Sequence, residues 1–116
     1  MSTDYRLVLC TCPDRTVADH LATMAVSRQL AACVNIVPGL HAVYSWQGQI
    51  ESSEECLLLI KTRQACLAAL QDALVSHHPY QVPEVISLVI EDGYLPYLAW
   101  LGDATRPSAS VPSPSS

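Results

Sequence analysis

Cations are scarce in this sequence: six Lys and Arg stand against eleven Asp and Glu, giving a formal net charge of -5. No basic stripe is left to follow a phosphate backbone, so no nucleic acid partner is expected. No apolar run approaches the roughly 18 residues that suggest a membrane-spanning helix, and no membrane partner is expected either. The stretch from Met1 to Arg6 lacks the basic flank and apolar core of an export signal, which predicts a protein that is not exported. Also absent are a Cys-x-x-Cys pair, a Gly-rich phosphate loop, a Gly-x-Ser-x-Gly elbow and a His-Glu-x-x-His helix. Each absence removes a class of enzyme or cofactor site.

Apolar residues are plentiful by contrast, at 50% of a 116-residue chain in which only 15% of residues are charged. The length fits one domain. A monomer of this size buries only about two-thirds of its unfolded surface, so surplus apolar residues must meet another subunit or stay exposed. Of the five cysteines, Cys10, Cys33, Cys56 and Cys66 sit inside apolar segments. They read as free thiols packed as small hydrophobes, the pattern of a reducing compartment.

Tyr5 to Cys12 is β-prone and stops at Pro13-Asp14, where Asp14 is placed to cap a helix. From Thr16 to Leu30 the apolar period becomes helical, with Val17, Ala18, Leu21, Ala22, Met24 and Ala25 on one side. Strand character returns from Ala32 to Tyr44, interrupted by Pro38-Gly39, which predicts a bend or bulge. Gln47-Gly48 offers a tight hairpin turn, and the return strand runs from Ile50 to Lys61. A second helix is predicted over Thr62 to His77, with Cys66, Leu70, Ala73, Leu74 and His77 along its buried seam and Pro79 ending it. Glu84 to Ile90 reads as a fourth strand, and Tyr94 to Leu101 as a short terminal helix.

The order strand, helix, two hairpin-linked strands, helix, strand is the split βαβ arrangement of ferredoxin-like α+β folds. The predicted domain covers residues 1–103, and residues 104–116, rich in Pro, Ser and Ala, are expected to be a disordered tail. A single sheet covered by helices on one face should alternate apolar with polar. Cys56 to Ile60 and Val85 to Ile90 are instead almost continuously apolar, so both sheet faces should be dry and a homo-oligomer should cover the second.

His77 ends the apolar seam of the second helix, so its ring is expected to face the sheet. It is either a helix-terminal histidine bonded to a last carbonyl or a metal ligand. Glu84 enters the fourth strand where that helix terminates, as a solvated carboxylate, a subunit salt bridge or a second ligand. Cys10 and Cys12 share a face of the first strand, as packed hydrophobes or as thiols for a soft metal. Thiolate, imidazole and carboxylate at one sheet end would suit copper or zinc. A Cys10 nucleophile with His77 as base is the enzymatic alternative. Arg28, Lys61 and Arg63 are the residues that would support an anion-sensing role.

Leu30-Ala-Ala-Cys-Val-Asn-Ile36 with Pro38-Gly39, then Tyr44-Ser-Trp-Gln-Gly48, Leu59-Ile-Lys-Thr62, His77-His-Pro-Tyr-Gln-Val-Pro-Glu84 and Tyr97-Leu-Ala-Trp-Leu101 resemble the CutA divalent-cation tolerance family, in order and over roughly residues 5 to 101. Gln49 departs from the lysine often found at that hairpin. The resemblance implies a ferredoxin-like homotrimer similar to PII signalling trimers, a cytoplasmic location in bacteria, and a link to copper(II) and other divalent cations rather than turnover. It offers Cys10, His77 and Glu84 as candidate metal ligands, with a PII-like ligand sensor as the alternative.

Overall fold

The computed structural model describes residues 3–106. Its elements are β1 (Tyr5–Cys12), α1 (Arg15–Ser27), β2 (Cys33–Trp46), β3 (Gln49–Arg63), a 3-10 turn (Gln64–Cys66), α2 (Leu67–His77), β4 (Val85–Val89) and α3 (Leu95–Ala104). The strands form one sheet in the order β2-β3-β1-β4, with every pair antiparallel. This is the expected ferredoxin-like α+β fold.

Alternation along the central strands divides the sheet into two faces. Val8, Cys10 and Cys12 of β1 with Cys56, Leu58 and Ile60 of β3 point at the helices, where Ala18, Leu21, Met24 and Ala25 of α1 and Leu70, Ala73 and Leu74 of α2 complete the core. Leu7, Leu9, Leu57 and Leu59 alternate onto the opposite face and are only half-buried. Register puts Leu88 beside Leu7 and Ile86 beside Leu9 on that same face, 47% and 52% exposed. The predicted second apolar face therefore exists. At one end it is covered by α3, whose Gly102 lies against Tyr5 and Arg63, residues of that same face.

Local chemistry explains where elements start and stop. The Asp14 carboxylate accepts from the Val17 N–H at 2.9 Å, satisfying one orphan donor of α1. That helix ends at Ser27, earlier than Leu30, because Gln29 turns to φ 59 and the N–H groups of Leu30 and Ala31 fold back onto the Ala25 carbonyl. Pro38-Gly39 does mark an irregularity: Gly39 adopts φ 78 and the β2–β3 register shifts between Val37 and Leu40. Gln47 and Gly48, at φ 51 and 81, make the hairpin turn between Trp46 and Gln49.

Two boundaries differ from expectation. The second helix begins at Leu67 rather than Thr62, because Thr62 and Arg63 still pair with β1. The buried Thr62 hydroxyl donates to the Leu30 carbonyl at 2.7 Å, which ties the strand end to the loop after α1. The ordered domain also runs past Asp103. α3 reaches Ala104, Thr105 is fully buried, and the Arg63 guanidinium donates to the Thr105 hydroxyl and carbonyl at 2.9 and 2.7 Å. Composition hides this, because a single threonine holding an arginine needs no apolar pattern. The remainder of the expected tail, residues 107–116, lies outside the described residues.

Candidate functional site

Beyond Cys56, the partner of the last β1 residue Cys12, the β2–β3 hairpin extends past the end of β1. The hairpin and the loop between α2 and β4 enclose a cleft of about 720 Å³, lined among others by Thr11, Tyr44, Trp46, Glu51, Glu55, Tyr80 and Glu84. No Lys or Arg lines it, and none of its carboxylates is in an ion pair among the described residues.

Proline builds the loop side of this cleft. His78 precedes Pro79, which disfavours helical geometry, and it leaves α2 at φ -88, ψ 138. The turn swings the His78 ring inward, where Nε2–H donates to the Thr11 carbonyl at 2.8 Å and Nδ1 accepts from the Tyr80 N–H at 3.1 Å. A carbonyl only accepts and a backbone N–H only donates, so the tautomer is fixed and both ring nitrogens are in use. The Tyr80 ring packs against His78 with centroids 4.7 Å apart. Its hydroxyl donates at 2.6 Å to Oε2 of Glu55, a carboxylate only 8% exposed. Burial first, then that hydrogen bond and the carboxylate's charge, pushes the Tyr80 phenol well above its usual range. His78, Tyr80 and Glu55 thus form a relay from the end of β1 to β3. Sequence reasoning passed over them; the usable signal was the histidine immediately before Pro79.

The residues singled out from the sequence do not meet as a trio. Glu84 is exposed and lines the cleft. Cys10 is fully buried on the helix face of β1, and burial, then the charges of Cys12, Glu84 and Glu55, pushes its thiol up to about 12. A thiol so held is neither a ready nucleophile nor a ready metal ligand. His77 does not face the sheet: it is exposed, and Nδ1 donates at 2.9 Å to the Ala73 carbonyl one turn back. The seam placed it correctly beside Ala73 and Leu74, but the last turn of α2 leaves its ring next to His20 of α1, centroids 5.6 Å apart. Among the described residues no group of three or more His, Cys, Asp or Glu is close enough to hold a metal ion. A single chain therefore does not present a closed ligand set, and that holds for Glu51, Glu55 and Glu84 of the cleft as well.

Of the three anion-sensing residues, Arg28 is exposed and the other two are engaged elsewhere. Lys61 donates to the Asn35 side chain, and Arg63 holds Thr105 and pairs with Asp4 at 3.6 Å. No helix among the described residues is long and apolar enough to cross a membrane.

Comparison with known proteins agrees with this fold. A Xenopus laevis protein named a CutA homolog is 52% identical over 93 residues, covering 80% of this chain and 62% of that protein. A rice protein named CutA 1, chloroplastic, is 47% identical over 102 residues, covering 88% of this chain and 58% of that one. The chain thus spans about 60% of the length of these curated relatives. Among solved structures, the divalent cation tolerance protein Cut A1 of Thermus thermophilus superposes with a TM-score of 0.86 at 43% identity, covering 88% of this chain and 99% of that one. CutA of Archaeoglobus fulgidus, described as periplasmic, gives 0.85 at 29% identity, covering 88% and 99%. Relatives named chloroplastic and periplasmic overturn the cytoplasmic expectation: free thiols in apolar segments report packing, not an address. The model of the CutA1 divalent ion tolerance protein family matches residues 6–104, and the chain belongs to that family.

Proposed function

We propose that this chain acts as a homotrimer that binds a divalent cation, copper(II) among the candidates, in a cleft between subunits, and that it catalyses no reaction. One observation carries the reading. The cleft gathers Glu51, Glu55 and Glu84 without a lining Lys or Arg, on the same sheet face as the uncovered Leu7, Leu9, Ile86 and Leu88. A carboxylate bank opening onto an apolar surface is incomplete until a second copy closes it. The names of relatives as divalent-cation tolerance proteins support the cation, and the depth of the Cys10 thiol removes the support for a nucleophile.

Hard and borderline cations accept carboxylate oxygen together with water. The role assigned to Glu84 is direct contact, and that of Tyr80 is to fix Glu55. Sedimentation velocity should give a trimer at micromolar concentration, and calorimetry with copper(II) should show Glu84→Gln and Glu55→Gln weakening binding while the trimer persists. A folded monomer, or unchanged affinity in the double variant, would overturn the reading.

A further inference from the structure

We propose that His20 and His77 form a second, surface site for a late first-row divalent cation, clasped between α1 and α2 and separate from the carboxylate cleft. The two rings stand with centroids 5.6 Å apart and planes inclined by 50°, both exposed. His77 is already oriented: its Nδ1 lies 2.9 Å from the Ala73 carbonyl, which only accepts, so in the neutral ring Nδ1 carries the hydrogen and Nε2 keeps its lone pair. A backbone carbonyl holding the far ring nitrogen is the arrangement found behind metal-bound histidines, where it fixes the tautomer and raises ligand basicity.

The spacing also suits a shared ion. With metal–nitrogen bonds of about 2.1 Å, each ring centroid would lie about 3.2 Å from the metal, so with one nitrogen of each ring turned to the ion a 5.6 Å separation corresponds to a nitrogen–metal–nitrogen angle of about 120°. Closing the rings by about 0.4 Å reaches the tetrahedral angle, a shift that a side-chain rotation at the helix surface supplies. Two imidazoles with water in the remaining positions suit Cu(II), Ni(II) and Zn(II) rather than Mg(II) or Ca(II). The net charge of -5 favours a cation over the whole surface. The other histidines are placed differently: His78 has both nitrogens occupied, and His41 lies on β2.

The test is calorimetric titration of the full chain with Ni(II) in a non-coordinating buffer. Ni(II) should bind, and His20→Ala or His77→Ala should each weaken that binding more than tenfold, while His41→Ala leaves it within twofold. Both histidine effects should persist in a Glu84→Gln background, where the cleft contact is removed, so one site can fail without the other. In wild-type protein, Ni(II) should also shield His20 and His77, but not His41, from acylation by diethyl pyrocarbonate, a readout independent of how the variants fold. Ni(II) affinity unchanged in His20→Ala, or equal acylation of His20 with and without the metal, would overturn the proposal.

Discussion

Replacing Tyr80 by Phe removes one oxygen and leaves the ring on His78, so it isolates the hydrogen bond that holds Glu55. The acceptor is a carboxylate 8% exposed and the distance is 2.6 Å. Hydrogen bonds to charged groups contribute about 1.5–3 kcal/mol net. Tyr80 itself is half-buried, so water partly re-solvates the carboxylate and the lower part of that range, about 1.5–2 kcal/mol, is expected. In a domain of this size that loss corresponds to a melting temperature lower by about 6–12 °C. Wild type and variant must be compared at one protomer concentration, because assembly shifts apparent stability by mass action. A double-mutant cycle with Glu55→Gln should return a coupling of about 1 kcal/mol or more.

The pH dependence has a definite sign. The folded phenol has a raised pKa while the unfolded tyrosine ionises near 10. Between those values the folded state binds more protons, so this contribution is complete below pH 10 and is lost as pH rises above it. The stability gap between wild type and Tyr80→Phe should therefore narrow above pH 10. A variant as stable as wild type at pH 7, to within about 0.5 kcal/mol, or a gap that widens in alkali, would refute the reasoning.

Two further perturbations probe the buried thiol and the open face. Native Cys10 should resist iodoacetamide at pH 8, where a thiol pushed up to about 12 is protonated as well as buried; rapid labelling followed by peptide mapping would contradict this. Cys10→Ser should lower stability by about 1–3 kcal/mol in denaturant unfolding, because it buries a hydroxyl in the core, and should leave copper(II) affinity unchanged. Leu88→Glu, at a position half-exposed in the single chain, should leave circular dichroism native-like and shift sedimentation toward monomer.

The fold was legible because its signals are periodic or punctuated. Apolar spacing placed both helices, Pro38-Gly39 placed the irregularity in β2, and Gln47-Gly48 placed the turn. The site was less legible because it depends on single side-chain directions. His77 does fall on the seam of Leu70, Ala73 and Leu74, yet a helix's last turn can project beyond the sheet, and a carbonyl one turn back captures its ring. Cys10 falls on the correct strand but on the helix side, whereas Thr11, its neighbour, lines the cleft. That difference is one residue of register, which inverts the face. Glu55 ends the polar stretch Glu51-Ser-Ser-Glu-Glu55 just before the apolar run and gave no pattern; what marks it is a tyrosine hydroxyl from a loop 25 residues away.

In the proposed trimer, the placement of the cleft would tie cation binding to assembly. Glu55 is two residues from Leu57 and Thr11 is two from Leu9, so cleft and open apolar surface lie on one side of the sheet. Whatever covers Leu7, Leu9, Ile86 and Leu88 also covers the approach to the carboxylates. Carboxylates brought together there without a cation repel one another across a boundary that has just lost water, which opposes closure. A cation bound among them removes that opposition, and by linkage assembly raises cation affinity by the same factor that the cation strengthens assembly. At 100 times its dissociation constant, a cation held only by the assembled state contributes about 2.7 kcal/mol to it. Leu88→Glu touches none of the carboxylates, yet it should weaken copper(II) binding at the cleft in proportion to the trimer it loses. Cleft affinity that stays constant while the trimer dissociates would place the cation within a single subunit and break the link.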